Sequence, residues 1–231
     1  MGNYLVRRYP VWKYLAFGMI GAGLLALPAV AAETGAAPQM TRVELLNRLL
    51  ETINAVPAYD CRMKIEQLAG ERKEQNQILS YKQPGHVVIT QLGPFKEGAV
   101  VEIKPDGKIT AKLGGFLGIF PVSVGPDSGL IKGVTGDSAV MASYQAVIRR
   151  AIERAPLITE DSVTAADGGN GILLDYKVNE PINHFKMLID ARQMVIIRLE
   201  RFKGDEPVSR IIWTDIHLGA AAGASAPAGA Q

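Results

Sequence analysis

From Tyr59 to Leu68 the sequence alternates between apolar and polar residues almost without fault. Tyr59, Cys61, Met63 and Ile65 share one side, and Asp60, Arg62, Lys64 and Glu66 share the other. Successive side chains of a strand point to opposite faces, so this period specifies a half-buried antiparallel strand. Ala69-Gly70-Glu71 then turns the chain and Gln75 to Gln83 brings it back. Pro84-Gly85, Gly93-Pro94 and Pro105-Asp106-Gly107 are further turn signals. They separate expected strands over His86 to Leu92, Ala99 to Lys104 and Lys108 to Leu113.

Two helices frame this run. Thr41 and Glu44 form a capping box, with the hydroxyl and the carboxylate three residues apart. Val43, Leu46, Leu49, Leu50 and Ile53 follow at helical spacing before Pro57 ends the pattern. The second helix is expected from a cap at Asp137 or Ser138 to about Arg154, with Val140, Met141, Tyr144, Val147, Ile148 and Ile152 along one side. Between the helices, Gly114 to Gly136 carries seven glycines among Phe116, Leu117, Ile119, Phe120, Val122 and Val124. That segment reads either as a flap or as short buried pieces. After the second helix, strands are expected over Leu157 to Ala166, Gly171 to Asn179, His184 to Asp190, Met194 to Phe202 and Pro207 to Leu218. The element order is helix, five strands, irregular segment, helix, five strands, which calls for a largely antiparallel sheet. Ile196-Ile197 and Ile211-Ile212-Trp213 are apolar on both faces of their strands. A sheet wetted on one side would not need this.

Residues 1–32 read as a secretory signal peptide. Arg7, Arg8 and Lys13 precede an uncharged apolar run from Leu15 to Leu27, and Ala29-Val30-Ala31 fits the small-residue cleavage rule. The cut is expected after Ala31 or Ala32, and the apolar run is short for a membrane span of about 20 residues. An exported, periplasmic protein follows. The expected organisation is a signal peptide over 1–32, one domain over 33–218 and a disordered Ala/Gly tail over 219–231.

Charge and composition exclude several classes. The chain has 25 basic and 23 acidic residues; without the three basic residues of the signal, 22 remain against 23. A nucleic-acid binder would show a clustered basic excess. A single cysteine, Cys61, excludes an internal disulfide framework and a Cys-rich metal site. His86, His184 and His217 have no metal-ligand spacing, and no phosphate loop, dinucleotide fingerprint or G-x-S-x-G is present. Pro126-Asp127-Ser128-Gly129 superficially matches a serine-protease nucleophile loop, but it lacks the surrounding pattern and reads as a polar turn. The expectation is no catalysis, no cofactor and no metal.

The ordered set of Tyr59-x-x-x-Met63-x-x-x-Gln67, Tyr81-Lys82-Gln83-Pro84-Gly85-His86-Val87 and the Asp106-Gly107-Lys108 hairpin resembles the LolA-like superfamily of periplasmic lipoprotein and lipid carriers. Gly93-Pro94, and Leu113-Gly114-Gly115-Phe116-Leu117-Gly118 after that hairpin, resemble a little-characterised exported branch of it. The resemblance implies an α+β fold: an antiparallel β half-barrel of about ten strands, its concave face covered or plugged by two or three helices. It implies acyl chains as cargo, carried on a lipid or a lipoprotein. Transient contact with a membrane surface is compatible with that role.

An acyl carrier also agrees with the residues themselves. Burying each CH₂ is favourable by about 0.8 kcal/mol, so a sixteen-carbon chain gains on the order of ten kcal/mol gross without any catalytic group. Met63, Ile65, Val88, Val101, Leu174 and Ile212 are the candidate wall residues, and Phe116, Leu117, Ile119 and Phe120 the candidate lid or entry. Two alternatives stay open. The apolar faces could close into a dry core, and the chain would then be a cell-envelope protein-interaction or sensor domain on the same fold. An envelope enzyme would need His184 or His217 beside a carboxylate in a polar cleft.

Overall fold

The computed structural model describes residues 40–115 and 120–219. The signal segment, most of the Ala/Gly tail, and Phe116, Leu117 and Ile119 lie outside them. Helix α1 (Arg42–Ala55) starts at the expected capping box. The Thr41 hydroxyl accepts from the Glu44 amide at 3.3 Å, and the Thr41 amide donates to Glu44 Oε2 at 2.8 Å. Its buried stripe is Leu45, Leu46, Leu49 and Ile53. Val43, expected on that stripe, is exposed, because the helix turns Leu45 inward in its place.

Six strands follow: β1 (Ala58–Gln67), β2 (Lys73–Lys82), β3 (His86–Pro94), β4 (Val100–Ile103), β5 (Ile109–Lys112) and β6 (Val122–Val124). Helix α2 (Tyr144–Glu153) leads to β7 (Ile158–Ala166), β8 (Gly171–Val178), β9 (His184–Asp190), β10 (Val195–Lys203) and β11 (Glu206–Leu218). All eleven join one open antiparallel sheet in the order β6-β5-β4-β3-β2-β1-β11-β10-β9-β8-β7. Each half of the chain is a meander, and the pairing of β1 with β11 welds the two. This is a half-barrel α+β architecture. The count exceeds the expectation by one because Val122–Val124 of the glycine-rich segment adds an edge strand to β5.

The second helix starts six residues later than its expected first cap. Ser143 is the N-cap, accepting from the Ala146 amide at 3.2 Å. Ser138 heads only a 3₁₀ turn (Ala139–Met141) and makes no cap bond. Asp137 is claimed elsewhere, by Arg201 and Thr135.

One face of the sheet and both helices share a single apolar core. Register fixes that face: Met63 opposes Trp213 and Gln77, Ile65 opposes Ile211 and Gln75, and Leu199 opposes Ile211 and Met187. Near the start of α2 the core holds an aromatic stack. Tyr81 lies on Tyr59 with centroids 4.9 Å apart, Tyr59 meets Tyr144 at 5.2 Å, and Tyr144 meets Trp213 at 5.7 Å. The Tyr59 hydroxyl ties sheet to helix by accepting from the Tyr144 amide and donating to Gln145 Oε1, both at 3.0 Å. Cys61 is buried beside this stack, and burial pushes its thiol up to about 12. It is a small core group and not a reactive thiolate.

Candidate functional site

Between the sheet face, α2 and the segment Ile131–Ala142 lies a cavity of about 100 Å³. Met63, Ile65, Met187, Leu199, Ile211 and Trp213 form its apolar wall. Ile131–Ala142 lines it as a strap, and the strap is held to both halves of the sheet. On the β2 side, the Val134 amide donates to Gln75 Oε1 at 2.9 Å. A Cβ at Gly133 would sit 2.8 Å from Gln75 Oε1, so a larger residue there would have to push that amide aside. Lys96, at φ 52°, donates to the carbonyls of Gly129, Leu130 and Lys132 at 2.7, 3.1 and 2.8 Å. On the β10 side, Arg201 reaches Asp137 at 2.6 Å and the Ser209 hydroxyl at 2.6 Å. β2 and β10 are three strand spacings apart in the sheet, roughly 14 Å.

The polar lining falls into two groups. Gln75, Gln77 and Gln91 are all buried and bonded to one another. Gln75 Nε2 donates to Gln77 Oε1 at 2.7 Å and to Gln91 Oε1 at 3.0 Å, and Gln91 Nε2 donates to Gln77 Oε1 at 3.1 Å. Gln77 Nε2 meets only the Met63 sulfur, at 3.3 Å. Each amide nitrogen carries two hydrogens. Gln77 and Gln91 therefore each keep one N–H without a protein partner among the described residues. The second group is cationic: Arg150 on α2, Arg154 at the C-cap of that helix, and Arg201 on β10. Arg154 is paired with Glu180 at 3.0 Å and lies over the Phe185 ring at 4.5 Å. Arg150 has no ion-pair partner among the described residues.

Burial of Asp137 works against its charge. The Arg201 hydrogen bond and charge, the Thr135 hydroxyl and the Arg150 charge outweigh it and hold the carboxyl below the usual aspartate range. A depressed carboxylate pKa stabilises the fold above the unfolded-state value, about 3.9, and that contribution is lost as pH falls through the folded value. The strap amides should therefore lose protection against hydrogen exchange below about pH 4, before the strand amides of β1 and β11 do. Strap and core opening together would contradict this assignment.

The sequence candidates distribute as follows. Met63 and Ile65 lie on the cavity wall. Val101 and Leu174 are buried in the core away from the cavity lining. Val88 and Ile212 fall on the opposite face. Their neighbours Val87, Ile89 and Trp213 point inward, and Ile212 pairs with Lys64 on the outer row. In runs such as Val87-Val88-Ile89 the apolar pattern alone cannot set the phase. Phe120 is 78% exposed beside the β6 edge. The buried glutamines were readable: Gln75 and Gln77 are in phase with Leu79 and Tyr81.

Each histidine has a carboxylate partner: His86 with Glu102 at 2.9 Å, His184 with Asp175 at 2.6 Å and His217 with Asp60 at 3.0 Å. The His184 pair lies in a polar surface depression with Glu160, Ser162, Lys177 and Asp205. Its Nε2 is held by Asp175 and its Nδ1 is buried without a partner among the described residues. Among the described residues, no three His, Cys, Asp or Glu side chains gather as metal ligands, and no helix is long and apolar enough to cross a membrane.

No family model and no curated relative matches the chain. Among solved structures, it is similar to a DUF1329 family protein from Desulfovibrio piger, with 9% identity over 77% of this chain and 91% of that one, at a TM-score of 0.42. It is also similar to a putative outer membrane lipoprotein-sorting protein domain from Vibrio parahaemolyticus, with 8% identity over 78% and 92% at 0.45. A LolA superfamily protein from Nitrosomonas europaea matches with 8% identity over 75% and 93% at 0.35.

Proposed function

We propose that this protein is an exported, periplasmic carrier that shields the acyl chains of a lipid or lipoprotein on the concave face of its half-barrel. In this reading the signal peptide is removed near Ala31 or Ala32, and the helices and strap plug the concave face until cargo enters. The observation that carries it is the apolar cavity lined by a strap with separate, polar attachments to the two sheet halves. An apolar pocket with a few placed polar groups is the usual form of a small-molecule site. A volume of about 100 Å³ accommodates a few waters or one small ring. A long acyl chain therefore requires the strap to swing aside. Polar anchors suit that motion, because water can replace their hydrogen bonds when they part. Methionines on the wall adapt to chains of different shape.

The test is lipid mass spectrometry of the exported, purified protein. A stoichiometric acyl-bearing species is the expected result. An empty protein that takes up no fluorescent fatty acid overturns the carrier. The weight then moves to an envelope protein-interaction domain, which the open β6 edge with exposed Phe120 and Val122 favours. Leu117 and Phe120 serve the carrier as entry residues. Replacing Phe120 by aspartate should reduce fatty-acid uptake several-fold and shift the melting temperature by less than about 2 °C, since exposed substitutions stay within about 0.5 kcal/mol. Equal losses of uptake and stability would remove the entry role.

A further inference from the structure

The cavity's cationic group is occupied from within. Asp137, carried on the strap, places its carboxylate against Arg201 at 2.6 Å, accepts from the Thr135 hydroxyl at 2.7 Å, and lies in the field of Arg150. Three arginines meet two carboxylates here, Asp137 and Glu180, which leaves one cation in excess. Arg150 is that cation: exposed, on the cavity lining, and without an ion pair among the described residues.

We propose that the cargo is an amphiphile with an anionic head, a carboxylate or a phosphate, and that Asp137 holds the head's place in the closed form. This rests on the carrier reading and adds the class of cargo to it. An incoming anionic head meets Arg150 first, then exchanges with Asp137 at Arg201. Arginine suits both acids, because its planar fork donates two parallel hydrogen bonds to paired oxygens. The exchange leaves Arg201 paired and frees the strap's attachment to β10, while the Val134–Gln75 attachment to β2 remains. Head recognition and strap opening thus become one event, and the acyl chain follows into the space beside Met63, Leu199 and Trp213. A neutral head cannot displace Asp137, since it would leave Arg201 unpaired in a half-buried site.

The experiment uses delipidated protein and a neutral fluorescent reporter, displaced by hexadecanoate, hexadecyl phosphate or hexadecanol. All three share one chain length and differ in the head. Either or both acids should displace the reporter at least tenfold more tightly than the alcohol, and the better acid identifies the head chemistry. Arg150→Gln should cut the acids' advantage over the alcohol several-fold, and Arg150→Lys should restore most of the difference. Asp137→Asn should tighten the acids more than the alcohol. Equal binding of acids and alcohol by the unaltered protein, or an undiminished preference in Arg150→Gln, overturns the anionic head and leaves the carrier standing. Binding of none of the three overturns both.

Discussion

Replacing Tyr59 by alanine should lower stability by about 3–5 kcal/mol, the range for removing a buried aromatic ring. In a domain of this size that is a fall in melting temperature of roughly 10 °C. The ring has no exposed surface and lies between Tyr81 and Tyr144, so its loss opens a cavity that the stack cannot fill without moving α2. The hydroxyl contributes separately. It accepts from the Tyr144 amide, one of the helix's unsatisfied first-turn donors, and donates to the buried Gln145 side chain. Tyr59→Phe keeps the ring and removes only that link, leaving two buried polar groups unpaired at a cost of about 1–3 kcal/mol. The ordering alanine, then phenylalanine, then the natural residue should appear in thermal and urea unfolding alike. A phenylalanine variant as stable as the parent would mean that water replaces the hydroxyl, and that the tyrosine does not fasten α2 to the sheet.

The two links at Tyr59 illustrate what the sequence makes legible. That Tyr59 faces a core follows from the alternation through Ile65, because only one phase of β1 buries Tyr59, Cys61, Met63 and Ile65 together. The turns at Pro84-Gly85 and Asp106-Gly107 likewise delimit strands that the sheet contains. Phase is lost where both faces are apolar, and Val88 and Ile212 land on the outer face for that reason. The start of α2 is illegible for a different reason. Asp137, Ser138 and Ser143 are all capable caps within seven residues, and the choice is made by Arg201, more than sixty residues away, which removes Asp137 from the competition. The glycine-rich segment hides the strap in the same way. Gly133 matters because Gln75 approaches it from another strand, a relation with no local signature. The candidate site was therefore half legible: the Met63 and Ile65 wall and the inward phase of Gln75 and Gln77 come from periodicity, but the bonding of the glutamines and the role of the arginines depend on what they face.

The glutamine group yields the second large effect, and its sign depends on how many members are changed. Gln77→Leu alone should destabilise by about 2–3 kcal/mol, because a buried polar group that loses its partner keeps its desolvation cost. The substitution strips the acceptor from both Gln75 Nε2 and Gln91 Nε2 at once. Replacing Gln75, Gln77 and Gln91 together by leucine removes the donors along with the acceptors and leaves only the Val134 amide without its bond. A partly satisfied network is worse than an apolar one. The triple variant should thus be no less stable than the single one, despite three changes in the core. The strap should respond in the opposite order. Gln77→Leu leaves Val134 attached to Gln75, whereas the triple variant lacks that anchor and should exchange its strap amides faster. Comparing melting temperatures with hydrogen exchange at Val134 separates the two effects. If stability fell additively with each substitution, the three amides would be acting independently, through waters in the cavity, and not as one network facing it.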